Sequence, residues 1–182
     1  ENLKKELLTL SGWVENTLQK AITAVNDRNA DLAKEIINAD EQIDLKEVEI
    51  EEECLKILAL HQPVAIDLRF VIGVLKVNSD LERIGDLCVN IAERAHTLHQ
   101  KKPVQMPYDL ETMVPKVMKM INDALDALMK LDVTLARHVC EADDAVDEMN
   151  RIMYQKTMER VQKDPANTEA YIQYFTVSRH LE

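Results

Sequence analysis

The stretch DLAKEIINADEQID, residues 31–44, has a second copy in this chain, TLARHVCEADDAVD at residues 134–147. Identical residues in the two copies keep a constant separation of 103 positions. The matched pairs are Leu32 and Leu135, Ala33 and Ala136, Ala39 and Ala142, Asp40 and Asp143, and Asp44 and Asp147. A self-similar chain is built from copies of one structural unit. We therefore predict two halves of similar structure.

Composition predicts that both halves are helical. The 182 residues include three Gly and five Pro, and aromatic residues make up 4%, while Ala, Leu, Glu, Lys and Met dominate. These residues have high helix propensity, which indicates an all-α protein. The repeat extends beyond its first match, because the final SRHLE at residues 178–182 resembles SDLE at residues 79–82 with a separation of 100 positions.

Turn signals divide the chain into six helical segments. They fall near residues 27–30, 60–63, 99–109, 130–132 and 163–169. Two helical hairpins, each preceded by a helix, predict two tandem three-helix bundles. We expect the first bundle over residues 1–99, a linker over residues 100–109, and the second bundle over residues 110–182, truncated at its C-terminus. Asp109 is a candidate N-cap, although Pro115 shortly after it indicates a later helix start or a kink.

The charge and the cysteines limit the classes of function. A formal net charge of −11 argues against nucleic acid as a ligand and favours cations or basic protein surfaces. No apolar run reaches the roughly 20 residues of a membrane span, so we expect a soluble protein without direct membrane insertion. Cys54, Cys88 and Cys140 lack Cys-x-x-Cys spacing, and we expect them to be small buried residues of a reducing cytoplasm.

Acidic residues form a stripe on the second helix and another on the third. Asp40, Asp44, Glu47 and Glu51 recur every three or four residues beside an apolar seam. On the third helix, Glu82, Asp86 and Glu93 follow the flank of a continuous apolar face. Like charges at this spacing repel each other by a few tenths of a kcal/mol per pair. Either water screens this repulsion, or a cation binds there.

The predicted hairpin brings the two stripes to the same height. With a turn near residue 62, equal rise along two antiparallel helices places position 40 opposite about position 84. Carboxylates that converge without His or Cys suit a hard cation bound through oxygen. In the second half, Asp143 and Asp147 are expected to lie opposite residues just beyond Glu182. The alternative interpretation is that both stripes are solvated helix surface.

Two other classes of protein stay open from the residues alone. One is a metal-dependent carboxylate-bundle enzyme, an oxidase or a phosphohydrolase, for which Glu93 and His96 supply one Glu-x-x-His element where such bundles need two. The other is a structural scaffold without metal. A flank position predicts an exposed site, whereas an enzyme needs an open coordination position in a pocket that excludes water.

Four stretches together resemble the PhoU family, the accessory regulators of bacterial high-affinity phosphate transport. They are QPVAIDLRFV at residues 62–71, DLERIGDLCVNIAE at residues 80–93, DLAKEIINADEQID at residues 31–44 and EADDAVD at residues 141–147. The resemblance covers nearly the whole chain. It implies two three-helix bundles with iron or zinc clusters on their surface, held by paired Glu/Asp-x-x-x-Asp motifs.

The resemblance also implies site residues, partners and a location. The first metal site would use four acids, with two further candidates beside them: Asp40, Asp44, Glu82 and Asp86, then Glu47 and Asp80. Asp143, Asp147 and Glu182 match the second site, where Asn150 aligns with Glu47. A protein of this family would not be an enzyme. It would act in the cytoplasm at the inner membrane as a negative regulator of phosphate uptake, through the phosphate transporter ATPase subunit and the phosphate-sensing histidine kinase. A homodimer stays open.

Overall fold

The computed structural model describes residues 2–110 and 112–182, and every regular element within these ranges is helical. The elements are α1 (Asn2–Asp27), α2 (Ala30–Ala39), α3 (Glu41–His61), α4 (Ala65–His99), α5 (Met113–Lys130), α6 (Val133–Lys163), a short 3₁₀ helix (Pro165–Asn167) and α7 (Thr168–Leu181). The all-α prediction is confirmed. None of the described helices combines the length and apolar character needed to cross a membrane.

The helices form two three-helix bundles in tandem. Helices α1, α2–α3 and α4 make the first bundle, helices α5, α6 and α7 make the second, and α4 packs against α7 between them. The second of the six predicted helices is divided at Asp40 into α2 and α3. Since Asp40 itself keeps α-helical dihedral angles, with φ −59° and ψ −40°, the two pieces together fill one position of the bundle.

The internal duplication is visible where the second helix of each bundle begins, at the start of α2 and of α6. Asn29 accepts hydrogen bonds from the backbone N–H groups two and three residues ahead, at 3.1 and 3.0 Å. Asp132, 103 residues further along the chain, does the same at 2.9 and 3.0 Å. The residue before each cap is left-handed, with φ 52° at Arg28 and φ 54° at Leu131. The repeated stretch therefore encodes a repeated helix start.

Two local expectations are wrong. Helix α5 begins at Met113 with Thr112 at the N-cap position, so the N-cap residue is not Asp109. The later start, one of the two alternatives for Pro115, is confirmed and leaves Pro115 in the first turn. There the missing N–H of proline costs no helical hydrogen bond. Cys140 is exposed, unlike Cys54 and Cys88, because it lies on the part of α6 that borders an open apolar groove.

Two clusters of buried side chains hold the bundles together. One runs from the first bundle into the second and includes Cys88, Ile91 and Tyr174. The other lies mainly in the first bundle, where Ile43 and Ile50 of α3 pack with Leu81 of α4, and it reaches Leu125 of α5 in the second. Burying an Ile or Leu side chain contributes roughly 1.5–3 kcal/mol. This packing fixes which side of α3 faces α4, and therefore places the neighbouring acids along the edge between them.

Candidate metal centre

Five carboxylates approach one another where α3 begins alongside α4. Asp40 stands at the junction of α2 and α3, Asp44 and Glu47 follow on α3, and Glu82 and Asp86 come from α4. Burial raises the pKa of Glu82 most, and the charges of Asp86, Asp44, Glu47 and Asp40 raise it further. Each of the other four acids thus lies within electrostatic reach of Glu82. We call these five residues the acid cluster.

Asp40 contributes a buried carboxylate oxygen to the acid cluster. Its Oδ1 is buried and has no hydrogen-bond partner among the described residues. Burial raises the pKa of Asp40, and the nearby charges of Asp44 and Asp86 add to the effect. A buried carboxylate oxygen without a donor is costly, because it has lost water without gaining a replacement.

Gly85 allows this close approach of α3 to α4. A Cβ atom built on Gly85 would lie 3.8 Å from Asp40 Oδ1, and 3.1 and 3.2 Å from two methyl carbons of Ile43. Any side chain at position 85 would therefore press on the residues that carry the acid cluster. The contact confirms the predicted register to within one residue, since Asp40 was expected opposite position 84.

A buried amide side chain of α4 holds the backbone at Glu47 in place. Asn78 of α4 is fully buried, and its Nδ2 donates to the backbone carbonyl of Glu47 at 2.8 Å. The pKa of the Glu47 carboxyl is raised, first by burial and then by the charges of Glu51 and Asp44. The acidic stripe of α3 thus continues the acid cluster toward Glu51.

The acid cluster fits a hard cation. Its donor atoms are carboxylate oxygens, and one of them, Asp40 Oδ1, is buried without a hydrogen bond. As the side chains stand, however, no three His, Cys, Asp or Glu residues within 2–110 and 112–182 are close enough together to hold an ion. Mutual repulsion turns unpaired carboxylates away from each other. A cation would therefore require these carboxylates to rotate toward one another.

Asp80, a further predicted ligand, lies on a different side of α4. It lines a groove between α4 and α5 together with Val77 and Met120. Two residues along a helix correspond to a rotation of about 200°, which separates the direction of Asp80 from that of Glu82. The structure therefore does not bring Asp80 to the acid cluster.

The second predicted set, Asp143, Asp147 and Glu182, has a different arrangement. Asp143 and Asp147 are exposed on α6, and Asp143 lines a cavity between the bundles together with Glu182. The Glu182 carboxylate accepts hydrogen bonds from Asn150 Nδ2 and, at 2.8 Å, from Arg179 Nη1. Both donors contact one oxygen of Glu182, Oε2, which thus has partners without a cation, so this set is a weaker candidate than the acid cluster.

Sequence reasoning missed the two residues that shape the acid cluster from α4. Gly85 carried a usable signal, because a glycine inside a strong helical pattern often marks a close approach of two backbones. Asn78 carried none that spacing could show, since its position relative to the Glu47 carbonyl depends on how α3 and α4 face each other.

Residues 7–95 and 110–182 match the family described as PhoU domain. The chain belongs to the PhoU family. A PhoU homolog of Aquifex aeolicus, named as a phosphate-specific transport system accessory protein, is 38% identical over 182 residues, which are 100% of this chain and 82% of that protein. The phosphate-specific transport system accessory protein PhoU of Escherichia coli is 30% identical over 182 residues, which are 100% of this chain and 76% of that protein.

Solved PhoU structures share the fold described above. PhoU from Pseudomonas aeruginosa superposes with a TM-score of 0.92 at 33% identity, covering 100% of this chain and 87% of that one. The phosphate transport system regulatory protein PhoU from Streptococcus pneumoniae gives a TM-score of 0.89 at 29% identity, covering 100% and 85% of the two chains. The tandem arrangement of three-helix bundles is therefore the PhoU fold.

Proposed function

We propose that this protein is a negative regulator of high-affinity phosphate uptake and of phosphate-starvation signalling. It restrains both when phosphate is plentiful, through contact with the phosphate transporter ATPase subunit and the phosphate-sensing histidine kinase. In this proposal the protein acts in the cytoplasm at the inner membrane, through these partners. The match of the whole chain to relatives named as accessory proteins of phosphate transport supports the proposal most directly.

The acid cluster supplies a mechanism for making contact. Five carboxylates at one height present a surface that another protein can cover only by removing their hydration, at a large free-energy cost. Iron or zinc ions bound by Asp40, Asp44, Glu47, Glu82 and Asp86 would neutralise this charge and hold α3 against α4. The buried oxygen of Asp40 and the raised pKa of Glu82 support a cation as the missing partner.

The proposal includes no catalytic step. Asp44 and Asp86 are exposed, so water reaches two of the five carboxylates directly. Metal-dependent catalysis benefits from a dry, shaped cavity around an open coordination position. An exposed edge between two helices suits a structural ion at a docking surface better.

A reporter of the phosphate-starvation response in phosphate-rich medium tests the proposed function. We expect output to rise in a strain that lacks the gene and to fall when the wild-type gene is returned. The double variant Glu82→Gln/Asp86→Asn should restore little restraint. A matched control, Asp27→Asn/Glu159→Gln, removes the same charge from exposed positions outside the acid cluster and should restore restraint fully.

The deletion strain tests the regulatory function, and the strain with the double variant tests the role of the acid cluster. Output that stays low after deletion of the gene would contradict the regulatory function itself. Full restraint by Glu82→Gln/Asp86→Asn at a wild-type protein level would leave the function standing and remove the acid cluster from its mechanism.

A further inference from the structure

The outer face of α3 carries a row of large aliphatic side chains that face solvent. Leu45, Val48 and Leu55 are 59%, 48% and 53% exposed. Separations of three and seven residues place them along one line of a helix. Single exposed aliphatic residues are common on protein surfaces, whereas three of them in line on one helix form an apolar strip that a partner could cover.

The duplicated helix shows that the fold does not require this row. Positions 45 and 48 correspond to Glu148 and Arg151 on α6, at the separation of 103, and these two side chains form an ion pair. The third position keeps an apolar residue, Met158, which is 39% exposed. The same place in the same kind of bundle is thus polar at two of three positions in the second half. Packing of the bundle therefore does not require aliphatic residues at positions 45 and 48.

Charges around the row indicate what it can bind. Glu41 and Glu52 stand in line with the aliphatic residues, and Glu49 and Glu51 lie on the two sides of the row, all of them exposed. Glu49 and Glu52 form surface ion pairs with lysines of α3, Lys46 at 3.0 Å and Lys56 at 3.8 Å, which a basic partner would have to compete with. Helix α3 contains seven Asp and Glu residues against two Lys residues. None of these four glutamates belongs to the acid cluster, so they would keep their charge when that cluster holds an ion.

We infer that Leu45, Val48 and Leu55 form a docking surface for a basic amphipathic helix of another protein. An apolar row on the partner would cover the three aliphatic residues, and flanking Lys or Arg residues would meet the glutamates. A second copy of this chain would instead bring glutamates against glutamates, and a membrane surface rich in anionic lipid would repel them. The inference deepens the proposed function by naming the surface used for protein contact, and it rests on that function.

The test uses a variant that copies the protein's own second half. Leu45→Glu/Val48→Arg installs the residues of positions 148 and 151 and leaves the net charge unchanged, so any loss of binding cannot come from altered overall charge. Ile172→Gln, which changes an aliphatic residue of α7 that is 50% exposed, is the matched control. Circular dichroism and Tm verify folding, and Leu45→Gln/Val48→Gln takes over if the first variant is unfolded.

The probe is a synthetic helical peptide of about 18 residues with a Leu row flanked by Lys, and its counterpart carries Glu in place of Lys. We expect the Lys peptide to bind the wild-type protein and Ile172→Gln equally, and the Glu peptide to bind neither. Leu45→Glu/Val48→Arg should weaken Lys-peptide binding by about tenfold or more. Equal binding of that variant, or no preference of the wild-type protein for Lys over Glu, overturns the inference.

Two further measurements address the other occupants. Sedimentation that shows a dimer abolished by Leu45→Glu/Val48→Arg, or binding to phosphatidylglycerol vesicles abolished by it, would assign the row to self-association or to a membrane and overturn the inference. The reporter experiment reads the proposed function independently. Restraint by the wild-type gene together with a negative peptide result rejects the surface alone, whereas absent restraint with a positive peptide result rejects the function alone.

Discussion

Asn78 of α4 donates a hydrogen bond from its Nδ2 to the backbone carbonyl of Glu47 on α3, over 2.8 Å. The second half has a hydrogen bond at the corresponding place between α7 and α6, but between two side chains: Ser178 Oγ donates to Asn150 Oδ1 at 2.9 Å. Residues 78 and 178 correspond at a separation of 100, and residues 47 and 150 at 103. Each bundle therefore joins its last two helices by a buried polar contact at the height of its acids.

Replacing Asn78 by Ala should loosen α3 from α4. The change removes a hydrogen bond and leaves a small cavity, so the free energy of unfolding should fall by about 1–2 kcal/mol. Chemical denaturation measures the difference. The neighbouring exposed Ser79→Ala is the control and should be nearly neutral. Because Asn78 Oδ1 is buried without a partner among the described residues, the change also removes an unsatisfied acceptor. Equal stability of Asn78→Ala and wild type would show that the hydrogen bond to Glu47 does not outweigh this penalty.

A side chain at position 85 should disturb the acid cluster through packing. The Cβ of Gly85→Val would lie 3.1 Å from an Ile43 methyl carbon, and its further methyl groups would force α3 outward. We expect a loss of about 1–3 kcal/mol in unfolding free energy. In contrast, Gly12→Ala adds a Cβ that meets nothing within 4 Å, and should stabilise α1 by about 0.5–1 kcal/mol. A gain in stability for Gly85→Val would disprove the close approach.

The raised pKa of Glu82 sets the sign of a pH effect in metal-free protein. Because its pKa in the folded protein lies above the ordinary value of 4.5, folding binds protons around and just above that pH, and stability falls as the pH rises through the folded pKa. Glu82→Gln removes this penalty. Its Tm should exceed that of wild type by about 2 °C at pH 7, and the difference should vanish below about pH 4.

Low ionic strength and a chelator keep this measurement clean, since salt screens exposed charges and a bound cation reverses the local electrostatics. A Tm difference that grows as the pH falls would show that burial and the neighbouring carboxylates do not raise the pKa of Glu82.

Metal should stabilise the wild-type protein and fail to stabilise the acid-cluster variant. A ligand present at about 100 times its Kd adds about 2.7 kcal/mol, which corresponds to a Tm increase of about 5–10 °C for a protein of this size. We expect such an increase when zinc or ferrous iron is added to chelator-treated wild type, and little for Glu82→Gln/Asp86→Asn. Elemental analysis should show a parallel loss of bound metal.

Asp143→Asn/Asp147→Asn gives the comparison between the two predicted sets. We expect it to keep most of the bound metal, because Glu182 of the second set already accepts two hydrogen bonds. Loss of most metal in this variant, with retention in Glu82→Gln/Asp86→Asn, would move the principal site to the second bundle.

The architecture could be predicted from the sequence because the evidence for it is periodic. The repeated sequence and the three-and-four spacing of apolar residues predicted the tandem bundles. Equal rise along antiparallel helices predicted position 84 opposite Asp40, one residue from the observed neighbour, Gly85. The division of the second helix at Asp40 could not be predicted, since the backbone there keeps α-helical dihedral angles and no Gly or Pro marks it.

The sequence predicted which residues belong to the acid cluster better than it predicted their positions in space. Spacing placed Asp44 and Glu82 on facing stripes, whereas Asp80, two residues from Glu82, points to another side of α4. The buried oxygen of Asp40 depends on side-chain packing around Gly85, which spacing does not encode. Helix periodicity thus predicts which residues share a face, and packing decides which atoms lose water.

The measurement that tests the central claim most directly is the affinity of this protein for the phosphate transporter ATPase subunit, with and without an intact acid cluster. Titration calorimetry on metal-loaded protein should give a Kd about tenfold or more higher for Glu82→Gln/Asp86→Asn than for wild type, a difference of about 1.4 kcal/mol or more. Asp27→Asn/Glu159→Gln should bind as wild type does. Equal affinities of all three proteins would contradict a role of the acid cluster in binding this partner.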